Sequence, residues 1–141
     1  MTTVFATAHQ AELAFYRAFE ELDLQRMDQN WSDAADALCI HPGGELLQGK
    51  TAIMQSWAEI LGGAEKPAIN IRPIQQHQGV DLAVHLTEES IRPRGSPTDK
   101  ATRILATNVY RREHGGWRLV EHHASLPLVR AGAGKAKRSL H

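Results

Sequence analysis

The chain has 141 residues, among them 16 Lys and Arg, 16 Asp and Glu and 8 His, so its formal net charge is zero when the histidines are neutral. This length suits one domain with a hydrophobic core of its own. A content of 42% apolar and 23% charged residues is typical of a globular protein and excludes an intrinsically disordered chain. The single cysteine, Cys39, excludes an internal disulfide bond.

The charge is unevenly distributed along the chain. Four of the 16 basic residues lie in residues 130–141, which contain no acid, so that 12 bases stand against 16 acids in residues 1–129. A body with this acidic excess is not expected to bind nucleic acid. We interpret residues 1–129 as a single domain and residues 130–141 as a basic tail that we expect to be flexible.

The sequence gives no reason to expect a membrane or secreted protein. No run of about 18 apolar residues occurs, so no membrane-spanning segment is predicted. The first ten residues lack the basic segment and apolar stretch of a secretory signal. We therefore expect a cytoplasmic protein that does not contact membranes.

The N-terminal third predicts two helices. In the first helix, apolar residues recur at spacings of three and four, and this stripe includes Glu12, with Tyr16 one turn later. Asp23 is a suitable N-cap for a second, shorter helix that carries Trp31. An acid inside an apolar stripe either reaches the mouth of a pocket or is buried with a raised pKa.

A short hairpin and a third helix follow. Residues 37–42 are apolar and predict a strand, Pro42-Gly43-Gly44 is typical of a turn, and residues 45–49 predict a second strand. The third helix is predicted to begin at Thr51 and to end at Gly62-Gly63. The residues expected to share its buried face are Ile53, Trp57 and Ile60.

Four long strands are predicted in the second half of the chain. They cover residues 68–78, 82–90, 101–112 and 117–129. Side chains along the second of these strands alternate between the faces of the sheet, with Leu82, Val84 and Leu86 on one face and Ala83, His85 and Thr87 on the other. Helices followed by an antiparallel meander predict an α+β domain with the helices packed on one face of the sheet.

A twisted sheet of this size should curl around the helices rather than lie flat against them. A pocket is then expected between the first helix, the third helix and the concave face. Because an exposed apolar sheet face is a liability, we expect a partner subunit to cover the convex face.

The order of these elements resembles the nuclear transport factor 2-like superfamily, which includes SnoaL-like and ketosteroid isomerase-like proteins. The segment from His41 to Gly44, with Gly49 and Ile53 after it, resembles the hairpin-to-helix passage of the SnoaL-like group. A second pattern is similar to the end of the calcium/calmodulin-dependent protein kinase II association domain and consists of Thr107, Val109, Tyr110, Arg112, Gly115, Trp117, Val120, His123 and Ser125.

The resemblance covers about residues 8–128 and carries expectations about fold and function. It implies a cone-shaped α+β fold, with a strongly curved antiparallel sheet wrapped around the N-terminal helices and a central pocket. It also implies a homodimer formed through the sheet, sometimes assembled into larger rings. Members of the superfamily include isomerases, cyclases, dehydratases and non-catalytic association domains, so the fold alone does not define an activity.

Comparison with the ketosteroid isomerase mechanism identifies two candidate catalytic residues. That mechanism uses a carboxylate base together with an oxyanion hole made by a tyrosine and a protonated acid. At the motif position of the base this sequence has His41, which can also act as a base near neutral pH. Tyr16 can take the place of the oxyanion tyrosine, or it is a half-buried helix tyrosine with its hydroxyl in water.

The last predicted strand carries two adjacent histidines, His122 and His123, which must point to opposite faces. The association-domain pattern favours His123 as the cavity histidine, and the alternative is a structural histidine in the core or interface. Asn108 takes the position of a cavity arginine in the same pattern, which removes a fixed positive charge and argues against carboxylate binding there.

Other polar and aromatic residues have both structural and functional interpretations. Arg103 can pair with Glu88 across neighbouring strands, preferentially as a surface ladder. Cys39 and His41 share one face of their strand, where a buried small hydrophobic residue is favoured over a reactive thiolate. No metal site and no cofactor is predicted, because the sequence lacks metal-binding spacings and nucleotide-binding motifs.

Two hypotheses follow. In the first, the protein binds an unidentified small molecule in an apolar pocket and acts as an acid/base isomerase, cyclase or dehydratase on a carbonyl-bearing ligand. His41 or His123 would move the proton, Tyr16 would polarise the oxygen, and the further candidate ligand contacts are Asn108, Trp57, Glu12, Trp31 and Arg103. In the second, the domain is a non-catalytic homo-oligomerisation module, with a second copy of itself as its partner.

Overall fold

The computed structural model describes residues 4–63 and 65–128, so the predicted basic tail lies outside the described residues. Within these ranges it contains three α-helices, six strands and a 3-10 turn at Thr98–Lys100. The helices are α1 (Ala8–Glu20), α2 (Leu24–Asn30) and α3 (Lys50–Gly62). The strands are β1 (Leu38–Ile40), β2 (Leu47–Gln48), β3 (Pro67–Gln78), β4 (Leu82–Pro93), β5 (Thr102–Glu113) and β6 (Gly116–Ser125).

The strands form one curved, open sheet in the order β2-β1-β6-β5-β4-β3, which confirms the α+β class. Strands β3 to β6 form the predicted antiparallel meander, whereas β1 pairs with β6 in parallel. The pairing register shifts between Pro73 and Gln75, because a proline has no N–H to donate and is accommodated at irregular positions. A second shift lies between Val109 and Tyr110.

Local sequence signals set the helix ends. The Thr7 hydroxyl accepts a hydrogen bond from the Gln10 backbone N–H and caps α1, and the Asp23 carboxylate caps α2 as predicted. Before α3, Gly49 has a φ of 86°, a conformation that other residues rarely adopt, and its N–H donates to the Ala37 carbonyl. These contacts place the start of α3 next to β1.

The core lies between the helices and the concave face of the sheet. It includes Phe15 on α1 and Trp57 on α3, whose rings meet edge to face at 5.6 Å. On α3, Leu61 is buried and Ile60 is 38% exposed, which corrects the predicted face. The buried set repeats every four residues, at Ile53, Trp57 and Leu61, and so stays on one side of the helix. None of the described helices has the length and apolar character needed to cross a membrane.

Strand β4 shows an inverted polarity. Its buried side chains include His85, Thr87 and Glu89, whereas Val84 and Leu86 on the other face are only half-buried. On β4 the concave, helix-covered face therefore holds polar groups, and the convex face holds both apolar and charged ones. Buried polar groups need partners, and those partners define the candidate site.

Candidate functional site

A buried chain of hydrogen bonds connects α1 to three strands. The Tyr16 hydroxyl donates to Glu89 Oε2 at 2.5 Å, Asn108 Nδ2 donates to the Tyr16 oxygen at 2.9 Å, and His122 Nδ1 lies 2.5 Å from Asn108 Oδ1. All four residues are at most 6% exposed. We call these four residues, Tyr16, Glu89, Asn108 and His122, the polar chain.

The hydrogen bonds of the polar chain all donate in the same direction, from His122 towards Glu89. Since Asn108 uses its amide nitrogen to donate to Tyr16, its oxygen is an acceptor, and His122 must donate from Nδ1. Burial lowers the pKa of His122 to about 3, with smaller contributions from His41 and His123. His122 is therefore a neutral imidazole at neutral pH, with its proton on Nδ1 and a lone pair on Nε2.

Glu89, at the acceptor end of the polar chain, has a pKa close to neutral pH. Burial raises its pKa to about 7, the hydrogen bond from Tyr16 opposes this shift, and the nearby Glu12 carboxylate adds to it. Burial and the Glu89 carboxylate both raise the pKa of Tyr16 well above its ordinary value, so Tyr16 keeps its proton. The polar chain therefore ends at the Glu89 carboxyl group, which can both gain and lose a proton near neutral pH.

His41 lies beside the polar chain, directly after β1. Its Nε2 is 2.9 Å from Ser56 Oγ, which itself donates to the Ile53 carbonyl, so the Ser56 oxygen accepts a hydrogen bond from the His41 Nε2–H. Burial lowers the pKa of His41, and the neutral ring carries its lone pair on Nδ1. The ring centroid is 5.0 Å from that of Trp57 and 6.3 Å from that of His122. Unlike His122, His41 is only half-buried.

A second group of buried polar residues, which we call the acidic cluster, consists of Glu12 on α1, His85 on β4, Tyr110 on β5 and Glu89, which also belongs to the polar chain. Glu12 Oε2 lies 3.2 Å from His85 Nδ1, and the rings of His85 and Tyr110 are 5.2 Å apart. Burial, then the Glu12 and Glu89 carboxylates, raise the pKa of Tyr110. Glu12 is 5% exposed, so it is a buried acid and not a residue at a pocket mouth.

The structure brings several of the predicted site residues together. Tyr16 and Asn108 are members of the polar chain, and His41 and Trp57 pack against its His122 end. Trp31 is 1% exposed in the core, where its backbone forms a bridge to Leu119.

Two predicted site residues lie elsewhere. His123 is exposed on the convex face, because β6 turns His122 inwards opposite Asn108 and therefore turns His123 outwards opposite Thr107. Arg103 is also exposed and donates to the Glu88 carboxylate at 3.1 Å through Nε, in the surface ladder that the sequence favoured. His122 therefore occupies the position that the sequence analysis assigned to His123.

Sequence reasoning missed Glu89, His85 and Ser56. Glu89 stands next to Glu88, and the paired acids give no sign of which one is buried. One signal was available on β4, where alternate positions carry His85, Thr87 and Glu89 opposite apolar neighbours. A polar stripe of this kind can face a helix that also carries buried polar groups, as α1 does with Glu12 and Tyr16.

Cys39 lies next to His41, but it is not a reactive thiolate. The Cys39 side chain is buried, and burial raises the pKa of its thiol to about 12, so the thiol stays protonated although its sulfur lies 3.6 Å from His41 Nε2. Within residues 4–63 and 65–128, no group of three or more His, Cys, Asp or Glu side chains is arranged to hold a metal ion.

Comparisons with known proteins agree with this architecture. The family model of the SnoaL-like domain matches residues 9–129. A candidate calcium/calmodulin-dependent protein kinase type II association domain from Thiobacillus denitrificans is 36% identical, with a TM-score of 0.83 over 89% of this chain and 99% of the other. A candidate dehydratase of the nuclear transport factor 2-like family from Streptomyces avermitilis is 31% identical, with a TM-score of 0.77 over 86% and 94%.

A more distant structure and a curated protein extend the comparison. A ketosteroid isomerase-like protein from Erwinia carotovora is 16% identical with a TM-score of 0.66, covers 86% of this chain and 94% of its own, and shares the fold. The F-box protein SKIP8 of Arabidopsis thaliana is 26% identical over 115 residues, or 82% of this chain. The chain spans 47% of the length of that curated relative.

Proposed function

Because the chain belongs to the family of SnoaL-like domains, we propose that it binds a small molecule in its interior and carries out acid/base chemistry on a carbonyl-bearing ligand, of isomerase, cyclase or dehydratase type. The observation that carries this proposal is the polar chain, which runs from His122 to Glu89 and ends in a carboxyl group with a pKa of about 7. A general acid or base works best when its pKa is close to the working pH.

Protonation of Glu89 controls what Tyr16 can offer to a ligand. Tyr16 has one proton, and it donates that proton to Glu89 while its oxygen accepts from Asn108. When Glu89 is protonated, the carboxyl group becomes the donor to the Tyr16 oxygen and the phenolic proton becomes free. Tyr16 then polarises a ligand oxygen, which is the role assigned to it from the sequence.

His41 is the proposed base. It is neutral, only half-buried, and held through Nε2 by Ser56 so that Nδ1 carries the lone pair. In the proposed step, Nδ1 takes a proton from the carbon next to the ligand carbonyl, and the electron pair of that C–H bond forms an enolate whose oxygen accepts a hydrogen bond from Tyr16. Return of the proton to a different carbon completes an isomerisation. The relative described as a candidate dehydratase supports this class of chemistry.

The test measures proton abstraction directly, without knowledge of the natural ligand. A set of cyclic ketones is incubated with the protein in D₂O, and loss of the α-proton signals is followed by NMR. We expect the wild type to exceed the buffer rate, and we expect His41→Gln to lose at least about tenfold of this acceleration. Replacement of the exposed histidine, His123→Gln, is the matched control and should leave the rate unchanged. A wild-type rate equal to buffer for every ketone would reject the catalytic part of the proposal.

A second candidate function rests on the convex face. Val84 on β4 pairs with Val109 on β5, and half-buried Leu86 and Leu105 lie on the same face. A groove of about 600 Å³ lined in part by Leu105, Leu126 and Leu128 continues this surface. We propose that this face forms a homodimer or higher oligomer, as the association-domain relative suggests. Light scattering at micromolar concentration should give a mass above one chain, and Leu86→Lys should give the monomer. Leu13→Lys, at a 58% exposed position on α1, is the control.

A further inference from the structure

Every member of the polar chain can act both as a hydrogen-bond donor and as an acceptor. A hydroxyl does so by rotation, a neutral imidazole by a change of tautomer, and an amide by turning over about its last side-chain bond. A carboxyl group accepts when it is ionised and donates when it is protonated. With Glu89 ionised, three hydrogen bonds donate in sequence from His122 towards Glu89. The direction of the whole chain therefore depends on one proton at Glu89.

A proton on Glu89 Oε2 leaves the Tyr16 hydroxyl without an acceptor in the chain. The carboxyl O–H then donates to the Tyr16 oxygen across the same 2.5 Å. Asn108 Nδ2 already donates to that oxygen at 2.9 Å, so neither neighbour accepts the phenolic proton. Tyr16 is 6% exposed, and burial raises its pKa, so it keeps this proton in a water-poor site. A buried O–H donor without a partner is unfavourable.

Turning the Asn108 amide over restores the missing acceptor without a change in the backbone. Oδ1 then faces Tyr16 and accepts from its hydroxyl, and Nδ2 takes the place of the oxygen that lies 2.5 Å from His122 Nδ1. An amide N–H in this place needs an acceptor, so His122 Nδ1 must carry a lone pair and the ring proton must lie on Nε2. The reversed chain has three hydrogen bonds between the same side chains, with donation from Glu89 to His122.

We propose that the polar chain is a proton-controlled switch, in which protonation of Glu89 reverses its three hydrogen bonds, turns the Asn108 amide over and moves the His122 proton from Nδ1 to Nε2. Glu89 gains one proton, while His122 releases one proton and takes up another, and so stays neutral. The switch operates in the ligand-free protein, so it goes beyond the proposed function and does not depend on it. Its effect is to change His122 Nε2 from an acceptor into a donor.

The groups packed around Glu89 set the pH at which the switch operates. They are Glu12 and Tyr16 on α1 and Tyr110 on β5, whereas its pairing partner on β3 is the apolar Ile71. On the same strand as Glu89, His85 lies 3.2 Å from Glu12. Burial and then the Glu12 carboxylate raise the pKa of Glu89 to about 7, against the hydrogen bond from Tyr16. The reversal is therefore expected near neutral pH.

The groups around His122 keep its ring neutral during the reversal. The aromatic rings of Phe15 and Trp57 lie 5.1 and 6.2 Å from it, and the titratable groups are His41 and the adjacent His123. Burial, then His41 and His123, lower the pKa of His122 to about 3. His122 therefore responds to the proton at Glu89 by a change of tautomer and not by a change of charge.

The test is a pH titration of the full chain, without ligand, from about pH 8.5 to about pH 5.5. Long-range ¹H–¹⁵N correlation NMR distinguishes a ring nitrogen that carries a proton from one that carries a lone pair, and ¹³C labelling of glutamate reports the ionisation of Glu89. The His122 signals are identified by their absence in His122→Gln. We expect the ratio of the Nε2–H to the Nδ1–H tautomer to rise at least about tenfold, with the same midpoint as the Glu89 carboxyl signal.

Three results of this titration would overturn the switch. If His122 keeps its Nδ1 proton while Glu89 becomes protonated, the new proton lies on Oε1 and the chain does not reverse. If Glu89 does not change its ionisation in this range, the trigger is absent. If both ring nitrogens of His122 become protonated, the ring changes its charge rather than its tautomer.

Two variants interrupt the connection and one is the matched control. Tyr16→Phe removes the hydroxyl that joins Glu89 to Asn108, so Glu89 should still titrate while the His122 tautomer no longer follows it. Glu89→Gln should make the tautomer independent of pH, whereas Glu88→Gln, on the convex face, should keep the wild-type midpoint. Circular dichroism verifies that each variant is folded. A His122 tautomer that still follows pH in folded Tyr16→Phe would contradict the proposed route.

The switch and the proposed function have separate readouts. Ketones that exchange their α-protons while the His122 tautomer stays fixed would leave the chemistry in place and reject the switch. A tautomer that follows Glu89 while no ketone exchanges would leave the switch in place and reject the catalytic part of the proposed function.

Discussion

Neighbouring glutamates on β4 show how strongly the two faces of the sheet differ. Glu88 faces the convex side, where hydrogen bonds and charges from Arg103 and then Arg72 lower its pKa. Glu89 faces α1, where burial raises its pKa to about 7. The residue type is the same and the positions are adjacent, so the difference comes from the alternation of a strand between water and core. Glu88 on the convex face is therefore ionised at neutral pH, whereas Glu89 on the concave face changes its protonation state near neutral pH.

The two faces also differ in how much the loss of one contact costs. In the convex ladder both arginines are largely exposed, so water screens the Coulomb energy of their pairs with Glu88. The polar chain consists of buried groups for which loss of one partner leaves the others unsatisfied. Changes on the concave face should therefore have large effects on stability and on ligand binding, and equivalent changes on the convex face should have small ones.

The largest effect is expected from interruption of the polar chain. Asn108→Ala removes both partners at once, leaving the Tyr16 oxygen and His122 Nδ1 without their hydrogen bonds in a buried site. Each unsatisfied group costs about 1–3 kcal/mol, so the free energy of unfolding should fall by about 4 kcal/mol. Urea denaturation measures this change. Thr107→Ala, at the adjacent half-buried position on the other face, is the control and should cost less than about 1 kcal/mol. A loss in Asn108→Ala no greater than in this control would contradict the importance of the polar chain.

The next effect depends on pH and compares Glu89→Gln with Glu88→Gln. The folded-state pKa of Glu89, about 7, lies above its ordinary value of 4.5. Its contribution to stability is therefore fully present below about pH 4.5 and is lost as pH rises towards 7, because the unfolded chain ionises first. This loss amounts to about 3 kcal/mol. Relative to wild type, Glu89→Gln should gain stability by about this amount between pH 4.5 and pH 8.

Glu88→Gln should show no such gain, since the folded-state pKa of Glu88 is lowered and its ion pairs favour the charged form at neutral pH. Denaturation curves at four pH values for wild type and both variants provide the measurement. His122 and the other titrating groups are common to all three proteins, so the differences report the two glutamates. A Glu89→Gln difference that does not change with pH would show that Glu89 is ionised in the folded protein throughout this range.

Local sequence patterns predicted most of the fold. The apolar spacing of α1, the Asp23 cap and the alternation along β4 depend on residues close in sequence, and the structure confirms the elements they predict. The parallel pairing of β1 with β6 joins segments about 80 residues apart, and local periodicity contains no information on it. The same limit produced the error at Ile60, where helical spacing alone did not distinguish two neighbouring apolar residues.

The candidate site was predicted only in part, for a physical reason. Tyr16, Asn108 and His41 were identified through residue type and resemblance, and they lie at the polar chain or beside it. Two errors in the predicted site, the choice of His123 instead of His122 and the omission of Glu89, have the same cause. Alternation shows that adjacent residues face opposite sides, but it does not show which side α1 covers. That depends on how the whole sheet packs.

The smallest effect is expected at Arg103, and it tests the convex side of the comparison. Arg103→Ala removes an exposed partner of Glu88, whose carboxylate also accepts a hydrogen bond from Arg72 Nε at 3.0 Å. Exposed pairs of this kind contribute about 0–1 kcal/mol, and Arg72 keeps Glu88 paired, so the free energy of unfolding should change by less than about 0.5 kcal/mol. Urea denaturation at low and high salt, at a concentration where the wild type is monomeric, measures it. If the variant is destabilised by 2 kcal/mol or more in the monomer, the convex ladder is as important to the fold as the buried chain, and the distinction between the two faces does not hold.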